Sequence, residues 1–538
     1  MNSSDCRKRV SERWSKVDYR VLGDGTSDLG ESECSTDIEE RDSKRVRQEI
    51  IDLTALDDEE EKSEGSAVVT PFRLMRSSIY DGGINSPHFI TLEEILSSKS
   101  LKSCVLFSYQ FGMDFLLEQF HTSVEKITII GQRGTITPIT SGRALEFVKK
   151  LDIVEIFMPP YTCHHSKMIV SFFKDDSCKI YMPSNNFTYE ETNLPQQVCW
   201  CSPVLQRSNG MYSRNSSKFQ DNLIDYLASY ENNLINRRLI PVIKKLNFEP
   251  LKNVQFIYST PSKKFASGFQ LLADSLPRKT GTDEGDALKH YLCQSSTIGS
   301  AISKKTHGNL FTHVFIPYLE EIMTKSSKPL QTDTVLQEFN KRRIKPYILY
   351  PTVQEIQNSP AGWLSSGWFH FNRLKDVVHY DNLLKKLDAF YKQNPNDLSR
   401  ERKATPCHSK FYFKSTTTNG EEKQNSQFDN LDWCIYTSSN LSLSAWGNLN
   451  GLPRNYEVGV LFVSDQNSLQ CQSFNDVIYN RYRLKSRELK QPSVAPSTVI
   501  MVPFGLPPTK YDIEKGDEAF CMSKNYDLVD INGRAYET

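Results

Sequence analysis

Apolar and polar positions along the chain follow two different periods. Leu101–Gln110 is a mostly apolar run of strand length, which predicts a buried strand, and Asp221–Leu234 has apolar residues at helical spacing, which predicts an amphipathic helix. Polar stretches rich in Ser, Asn, Gly and charge lie between such segments and predict surface loops. Three of them are 207–218, 278–286 and 415–430. From Val68 onward strands and helices alternate, which indicates an α/β fold.

The first 66 residues differ from the rest of the chain. They are rich in Ser, Asp and Glu and have few regularly spaced apolar residues, so they cannot bury enough surface to offset the entropy lost on ordering. We therefore expect residues 1–66 to be a disordered tail. They carry 19 acidic against 11 basic residues, whereas the remainder carries 54 basic against 46 acidic residues. A mildly basic body permits a polyanionic partner such as DNA but does not by itself indicate one.

Two short features stand out within this tail. The basic cluster Lys44–Arg47 resembles a nuclear import signal and predicts a nuclear protein. The aliphatic segment Ile50–Leu53 with the acidic run Asp57–Glu61 resembles a motif that binds the modifier SUMO by adding a strand to a sheet edge. For both features the alternative is a randomly charged tail without a partner.

Composition limits the classes of protein that the chain can represent. A membrane helix needs about 18 consecutive apolar residues, and no such run occurs. The first residues also lack the apolar stretch of a signal peptide, so we expect a soluble protein that is not secreted. The 12 cysteines are scattered, with only Cys199 and Cys201 close together. Neither a disulfide framework nor a zinc finger is indicated, and we expect no metal or other cofactor.

An internal repeat is the most informative feature of the sequence. The chain reads HSKMIVSFF and then KIYMPSNNF in its first half, and HSKFYFKS and then CIYTSSNLS in its second half. We interpret each IYxxSN segment as a strand that delivers its terminal asparagine to a shared site. The repeated polar residues are His165, Lys167 and Asn185 in the first half and His408, Lys410 and Asn440 in the second half.

The repeated residue types suit chemistry at a phosphodiester. Side chains alternate along an extended segment, so each His-x-Lys places an imidazole and an ammonium on the same face. Histidine can act as a nucleophile or a proton donor, lysine supplies positive charge to phosphate oxygens, and asparagine supplies a neutral donor. A single His-x-Lys would be unremarkable, but two copies followed by the same strand favour one site built from both halves.

The motifs resemble the phospholipase D superfamily, whose members pair two HxK-containing halves around one site. The common form of that superfamily carries Asp five residues after Lys, but Phe172 and Ser415 occupy those positions here. The loss of both Asp residues resembles the tyrosyl-DNA phosphodiesterase branch. This resemblance covers roughly residues 70–538. It rests on MPPYTCHHSKM, QQVCWCSP, QSSTIGS, SPAGW, SSNLSLSAWG, NYEVGVLF and VPFGLPP.

The resemblance implies a fold and a domain organisation. We expect two similar α-β-α sandwich domains of phospholipase D type, at about 67–252 and 253–538, after the tail at 1–66. A pseudo-twofold axis would relate the two domains. Each domain would contribute one His/Lys/Asn set to the cleft between them, and the protein would act as a monomer.

The resemblance also implies a role for each repeated residue. His165 would be the nucleophile that forms a covalent phosphohistidine, and His408 would be the general acid and base. The phosphate would be held by Lys167, Lys410, Asn185 and Asn440.

Two further residues would orient the histidines in this family. A carboxylate on the far ring nitrogen makes an imidazole more basic, whereas a neutral amide holds a ring without stabilising its cation as strongly. We therefore assign Glu457 to His165 and Gln197 to His408. The alternatives are that Glu457 merely begins a strand and that the neighbouring Gln196 takes the place of Gln197.

Contacts with the substrate are implied by the same resemblance. Tyr161 would stack on a DNA base, with burial as a core aromatic as the alternative. Ser296 and Ser300 would contact the DNA backbone, and Ser442 would supply a hydroxyl to the site. His164, next to the nucleophile, is expected to be a packed core histidine.

The function implied is hydrolysis of the 3′-phosphotyrosyl bond that a trapped topoisomerase I leaves on DNA, yielding a 3′-phosphate for repair. The substrate would be single- or double-stranded DNA carrying a topoisomerase-derived peptide or another 3′ adduct. One alternative is a broader nuclease or phospholipid phosphodiesterase with the same chemistry. Another is a non-catalytic DNA-binding or SUMO-dependent scaffold, although the complete histidine and lysine pairs argue against it.

Overall fold

The computed structural model describes residues 70–82, 84–277, 287–393, 402, 405–417, 427–465, 469–478 and 498–536. The predicted tail with its two short motifs, and the loop predicted at 278–286, lie outside the described residues. Within the described ranges, no helix combines the length and the apolar character that crossing a bilayer requires.

Two eight-stranded mixed sheets form the framework of the described residues, and a separate strand pair lies beside them. The first sheet contains β1 (Phe72–Met75), β2 (Phe89–Ile90), β3 (Leu101–Ser108), β4 (Lys126–Gln132), β5 (Leu151–Ile156), β6 (Met168–Phe173), β7 (Cys178–Pro183) and β8 (Val198–Cys201). The second sheet contains β9 (Val254–Ser259), β10 (Leu288–Gln294), β11 (Ile344–Leu349), β12 (Phe390–Lys392), β13 (Phe411–Thr417), β14 (Trp433–Thr437), β15 (Glu457–Val463) and β18 (Thr509–Lys510), and the pair is β16 (Leu469–Ser473) and β17 (Thr498–Val502).

Short helices connect these strands. The α-helices of the described part are α1 (Leu92–Leu96), α2 (Met113–Leu117), α3 (Gly142–Leu145), α4 (Tyr189–Asn193), α5 (Lys218–Ala228), α6 (Ile240–Ile243), α7 (Phe269–Ser275), α8 (Ile316–Leu319), α9 (Thr332–Lys341), α10 (Val353–Gln357), α11 (Val377–Asp381), α12 (Leu443–Trp446) and α13 (Phe474–Ile478). Single 3₁₀ turns occur at 148–150 and 249–251, a longer 3₁₀ stretch at 362–368, and π-helical turns at 235–239, 311–315 and 382–386.

The two sheets repeat one topology. The order β1-β8-β7-β6-β3-β4-β5 in the first sheet matches β9-β15-β14-β13-β10-β11-β12 in the second. Parallel and antiparallel pairings also correspond along both series, with the parallel pairs confined to the β3-β4-β5 side and the β10-β11-β12 side. Two similar α/β halves of the expected type are therefore confirmed. The boundary between residues 252 and 253 stays a prediction, because the chain from Thr70 onward forms one compact unit.

Both faces of the first sheet are covered, which explains its nearly continuous apolar strands. Val105 and Phe107 of β3 enter a core that also contains residues of the second sheet, such as Phe411. The alternating residues Cys104 and Leu106 pack in a separate core with α1 and α2. The period of two along a strand therefore distributes side chains between a core shared by the halves and an outer core.

The strand and the helix predicted from hydrophobic periodicity are both present, with boundaries that differ from the prediction. The strand expected at Leu101–Gln110 is confirmed as β3, which ends at Ser108. The helix expected at Asp221–Leu234 was placed wrongly. The hydroxyl of Ser217 accepts from the backbone N–H of Gln220 and starts α5 earlier, and the helix ends at Ala228.

Local polar groups explain why this helix stops. Glu231 has a φ of +52°, in the left-handed region, so the helical path is interrupted there. The side chain of Asn232 then accepts from the backbone N–H of Leu234 at 2.9 Å and begins the next helical turn.

The loop expected at 415–430 was also wrong at its start, because β13 continues to Thr417.

Candidate active site

Each His-Lys pair lies on the extended segment that leads into a central strand of its sheet. His165 and Lys167 come directly before β6, and His408 and Lys410 come directly before β13. All four side chains are buried, the two lysines at 1% and 0% exposure. The ammonium of Lys167 donates to the carbonyl oxygen of His165 at 3.0 Å, and that of Lys410 donates to the carbonyl oxygen of His408 at 2.5 Å. The two segments thus repeat the same local geometry.

Backbone hydrogen bonds between the halves bring the two segments to one site. The backbone N–H of His165 donates to the carbonyl oxygen of Tyr456 at 2.9 Å, and the backbone N–H of His408 donates to that of Gln196 at 3.0 Å. Tyr456 precedes β15 of the second sheet, and Gln196 precedes β8 of the first. Each histidine is therefore anchored to the opposite half by an equivalent short β-bridge.

The carboxylate of Glu457 faces His165. Its Oε2 lies 2.8 Å from Nδ1 of His165. The same carboxylate accepts from Ser438 Oγ at 2.6 Å and from Asn455 Nδ2 at 3.0 Å. Burial raises the pKa of Glu457 to about 7. Glu457 is the first residue of β15, as the alternative interpretation expected. Its side chain also holds Nδ1 of His165, which leaves Nε2 as the ring nitrogen able to react.

The amide of Gln197 faces His408. Its Nε2 lies 3.2 Å from Nδ1 of His408 and donates to the carbonyl oxygen of Glu191 at 2.8 Å. Its Oε1 accepts from Ser184 Oγ at 2.5 Å. The side chain of Gln196 instead donates to the backbone of Thr405. Of the two adjacent glutamines, the structure therefore brings Gln197 to His408.

A carboxylate that sequence reasoning missed also reaches His408. Oε1 of Glu191 lies 3.3 Å from Nδ1 of His408, and Glu191 is buried. Its carboxylate accepts from the backbone N–H of Asn186 at 2.7 Å and from Asn186 Nδ2 at 2.8 Å. A signal was present in the sequence: Thr188 and Glu191 have the Thr-x-x-Glu spacing of a helix start, directly after the repeated asparagine. Thr188 indeed accepts from the backbone N–H of Glu191 at the start of α4.

Burial and the neighbouring charges shift the pKa values of both members of this second pair. Burial, and then the ammonium groups of Lys410 and Lys167, lower the pKa of His408 to about 3, although Glu191 acts in the opposite direction. The pKa of Glu191 is lowered in spite of burial, because His408 and Lys167 favour its anion.

The equivalence of Asn185 with Asn440 is contradicted by the structure. Asn440 Oδ1 accepts from Ser295, directly after β10, at 3.1 Å. The matching contact in the first half is made by Asn186, whose Oδ1 accepts from Ser108 at the end of β3 at 2.9 Å. Asn185 Nδ2 instead donates to Thr192 at 3.0 Å and to the backbone of Asn186.

The physical reason for this error is the doubled asparagine. Ser184 and Ser438 occupy equivalent positions, since each hydroxyl accepts from a backbone N–H near the start of the following strand, that of Val198 in β8 and that of Val458 in β15. Counting onward from these serines pairs Asn186 with Asn440. The number of residues between the histidine and the asparagine includes a turn of variable length, so this spacing could not fix the register of the repeat.

The predicted substrate contacts lie in different environments. Tyr161 is 74% exposed, with φ of +64°, so the alternative of a buried core aromatic is wrong. Ser300 is also exposed. Ser296 is buried and donates to Asn440 Oδ1 at 3.0 Å. Ser442 caps α12, since its hydroxyl accepts from a backbone N–H of that helix.

His164 is packed, as expected for a core histidine. It is fully buried, with Nδ1 at 3.0 Å from the carbonyl oxygen of Ser108 and Nε2 at 2.7 Å from the hydroxyl of Tyr230. Burial lowers the pKa of His164 to about 4. In the part of the chain that the structure describes, no group of three or more His, Cys, Asp or Glu residues is arranged to hold a metal ion.

Comparison with known proteins gives a consistent result. Residues 73–512 match the family described as tyrosyl-DNA phosphodiesterase. Tyrosyl-DNA phosphodiesterase 1 of Saccharomyces cerevisiae is 39% identical over 97% of this chain and 97% of its own length. A probable tyrosyl-DNA phosphodiesterase of Schizosaccharomyces pombe is 25% identical over 70% of this chain and 78% of its own length. The crystal structure of the yeast tyrosyl-DNA phosphodiesterase superposes with a TM-score of 0.73 at 42% identity, covering 84% of this chain and 99% of that one.

Proposed function

The chain belongs to the tyrosyl-DNA phosphodiesterase family, and from this membership we propose that it hydrolyses the bond between a 3′-phosphate of DNA and a tyrosine side chain. The observation that carries the proposal is the pair of buried His-Lys segments, one from each half. Each of these histidines has a hydrogen-bonding group of the opposite half at its Nδ1 atom. Two imidazoles held in this way, with two ammonium groups beside them, suit two-step displacement at phosphorus.

In the first step His165 acts as the nucleophile. Its Nδ1–H is held by Glu457, so the lone pair of Nε2 attacks phosphorus. A P–N bond forms while the bond from phosphorus to the tyrosyl oxygen breaks, and His408 donates a proton to that oxygen. The products are a covalent phosphohistidine on His165 and a free tyrosyl peptide.

In the second step water replaces the histidine. His408, now neutral at Nε2, takes a proton from the water as its oxygen attacks phosphorus. The P–N bond breaks, which releases DNA with a 3′-phosphate and restores His165. One histidine thus changes covalent state and the other only moves a proton.

The phosphate is held by the lysines and the equivalent asparagines. Lys167 and Lys410 are almost fully buried, and charge acts more strongly there than in water. Asn440 and, in the first half, Asn186 supply neutral donors. Asn186 replaces Asn185 in this role because it shares the serine contact of Asn440.

The DNA contacts follow the exposure of the predicted residues. Tyr161 offers an exposed ring on which a base can stack, and Ser300 offers an exposed hydroxyl to the backbone. Ser296 acts indirectly, through its bond to Asn440. The hydroxyl of Ser442 is engaged in capping α12, which favours a structural role.

The biological setting follows the family. We propose that the substrate is DNA with a peptide left by topoisomerase I, that the protein acts as a monomer in the nucleus, and that Lys44–Arg47 serves import. Binding of SUMO by Ile50–Leu53 is a separate proposal that rests on the tail sequence alone.

The test is cleavage of an oligonucleotide with a 3′-phosphotyrosyl group in buffer containing EDTA. We expect a 3′-phosphate product, because Lys167 and Lys410 supply the positive charge at the phosphate. An unmodified oligonucleotide and a phosphatidylcholine vesicle are the matched substrates. Cleavage of either at a similar rate would favour the broader nuclease or phospholipid phosphodiesterase. Binding of the DNA without cleavage would favour the scaffold, and cleavage that requires added magnesium would overturn the mechanism.

A further inference from the structure

The two catalytic histidines receive their carboxylates from different positions of the repeat. In the second half, the residue that begins β15 is Glu457, and its carboxylate contacts His165. The equivalent residue of the first half, directly before β8, is the neutral Gln197. The carboxylate near His408 comes instead from Glu191 in α4.

The matching position in α12 confirms that this carboxylate belongs to one half alone. Thr188 and Ser442 both cap their helices by accepting from the backbone N–H three residues later, at Glu191 and Ala445 respectively. The side chain of Ala445 has no acceptor atom, so it cannot hold the ring nitrogen of a histidine. Each histidine thus has one carboxylate at Nδ1. For His165 it comes from the first residue of a strand, and for His408 it comes from a helix.

The hydrogen bonds of Gln197 prevent its amide from accepting a proton of His408. Nε2 of Gln197 donates to the carbonyl oxygen of Glu191, and a flipped amide would place two acceptors against each other there. The hydroxyl of Ser184 accepts from the backbone N–H of Val198, so it donates to Oε1 of Gln197. The amide group that faces His408 is therefore the donor.

The proposed reaction needs the opposite arrangement at His408. Nε2 must lose a proton to the tyrosyl oxygen and then gain one from water, so Nδ1 carries its hydrogen in both steps. A donor such as the Gln197 amide opposes that hydrogen, whereas a carboxylate accepts it. Of the two groups at Nδ1, only Glu191 can do so, at 3.3 Å.

We propose that Glu191 is the positioning residue that keeps the hydrogen of His408 on Nδ1 and favours the protonated ring when substrate is bound. This inference rests on the proposed function. The charged groups that face His408 are Glu191 of α4, Lys410 of its own segment and Lys167 of the other half. A bound phosphodiester anion would offset the lysine charge and leave Glu191 as the group that stabilises the imidazolium.

The carboxylate itself is held firmly. Both of its oxygens accept from Asn186, the proposed phosphate ligand, at 2.7 and 2.8 Å. Asn186 is in turn bound to Ser108 of β3. Glu191 therefore links the phosphate ligand of the first half with the acid–base histidine of the second half.

The test compares leaving groups of different acidity at several pH values. With Glu191→Gln we expect the basic limb of the cleavage profile to move to lower pH by about one unit or more, since loss of an opposite charge at this distance lowers the pKa of an imidazolium. At pH 8, cleavage of a 3′-phosphotyrosyl oligonucleotide should fall about 10-fold or more. A 3′-p-nitrophenyl phosphate ester, whose phenol is more acidic, needs less proton donation, so its cleavage should fall much less.

Two matched variants separate charge from structure. Glu191→Asp keeps the charge and should retain most of the wild-type pH profile. Glu190→Gln removes the neighbouring carboxylate of the same helix and should behave as wild type. An equal loss with both leaving groups and an unshifted profile in Glu191→Gln would overturn the inference, even though the wild type cleaves phosphotyrosyl DNA. A wild type without cleavage would overturn the proposed function instead.

A measurement on the unchanged protein covers the case in which Glu191→Gln does not fold. Histidine can be labelled with ¹⁵N, and the His408 resonances can be identified by their loss in His408→Asn. We expect a protonated Nδ1 at neutral pH, both in the free protein and with bound inorganic vanadate as a phosphate mimic. A bare Nδ1 with the hydrogen on Nε2 would show that Gln197, not Glu191, sets the tautomer.

Discussion

Glu457 Oε2 lies 2.8 Å from His165 Nδ1, although the two residues are 292 positions apart in the chain and belong to different halves of the repeat. This contact makes the basicity of His165, the proposed nucleophile, depend on a strand of the other half. Glu457→Gln should slow formation of the covalent adduct by about 10- to 100-fold, the size usual for a group that orients a functional histidine. Single-turnover cleavage with phosphotyrosyl DNA measures this step. An unchanged rate would mean that Glu457 only supports β15.

The carboxyl group of Glu457 should make the stability of the protein depend on pH. Its pKa is raised from 4.5 to about 7 by burial, so the folded state binds this proton more tightly than the unfolded state. Stability relative to Glu457→Gln, which does not titrate, should therefore be lost as the pH rises from about 5 to about 7. Thermal melting of both proteins across this range measures the difference. A constant difference in Tm would contradict the raised pKa.

The two histidines should respond differently to substitution. His165→Ala should abolish both cleavage and the covalent adduct, since no other group in the site replaces the nucleophile. His408→Asn should still form some adduct, because a phenol with a pKa of about 10 leaves without full proton donation. Hydrolysis of that adduct needs a base and should fall by about 10²- to 10⁴-fold.

A denaturing gel tests this pair of variants. His408→Asn should accumulate protein attached to the 3′ end of labelled DNA, as a slowly migrating band, and His165→Ala should not. The reverse pattern would exchange the roles of the two histidines. Full activity in both variants would disprove the phosphohistidine mechanism.

The corrected register of the repeat predicts different effects for two adjacent asparagines. Asn186→Ala should lower kcat by about 10²-fold, as expected for loss of one donor at a reacting oxyanion. Asn185→Ala should lower it much less, since its amide donates to Thr192 and to the backbone. Steady-state cleavage of phosphotyrosyl DNA compares the two variants, with Asn440→Ala as the reference. A larger loss in Asn185→Ala would restore the original pairing.

A buried ion pair ties the segment before His408 to the first half. Arg402 is 1% exposed, and its guanidinium contacts both oxygens of Asp81 and donates to the carbonyl oxygen of Met75 at 3.2 Å. Arg402→Met removes one member of a buried ion pair, and breaking such a pair is strongly destabilising, so the variant should lose about 3–5 kcal/mol of the free energy of unfolding. Urea denaturation measures this cost. The double variant with Asp81→Asn should recover part of it, and a loss below about 1 kcal/mol would contradict the burial of the pair.

The tail prediction can be tested in cells. Replacing the basic residues of Lys44–Arg47 with alanine in the full chain should shift a fluorescent fusion from the nucleus towards the cytoplasm. An unchanged distribution would remove the support for an import signal. A titration of a peptide spanning residues 45–65 with SUMO, followed by NMR, tests the neighbouring motif. Chemical-shift changes are expected, and their absence would remove the support for SUMO binding.

Sequence patterns predicted the part of this site that depends on residue type and repetition. The His-Lys pairs and their strands repeat closely enough to be found by inspection, and the resemblance supplied Glu457 and Gln197. Glu191 was missed because the equivalent residue of the second half is Ala445, so a search for residues shared by both halves does not find it. The choice between Asn185 and Asn186 depended on a strand register, which only the hydrogen bonds to Ser108 and Ser295 reveal.

The crossed β-bridges at the two histidines have a consequence for how the protein can be divided. His165 is bonded to the segment before β15, and His408 to the segment before β8. A polypeptide containing one half would carry its own histidine and lysine but would lack the orienting group for that ring. Neither half could therefore retain a weaker version of the activity, and mixing separately made halves should yield turnover only in proportion to the reassembled pair.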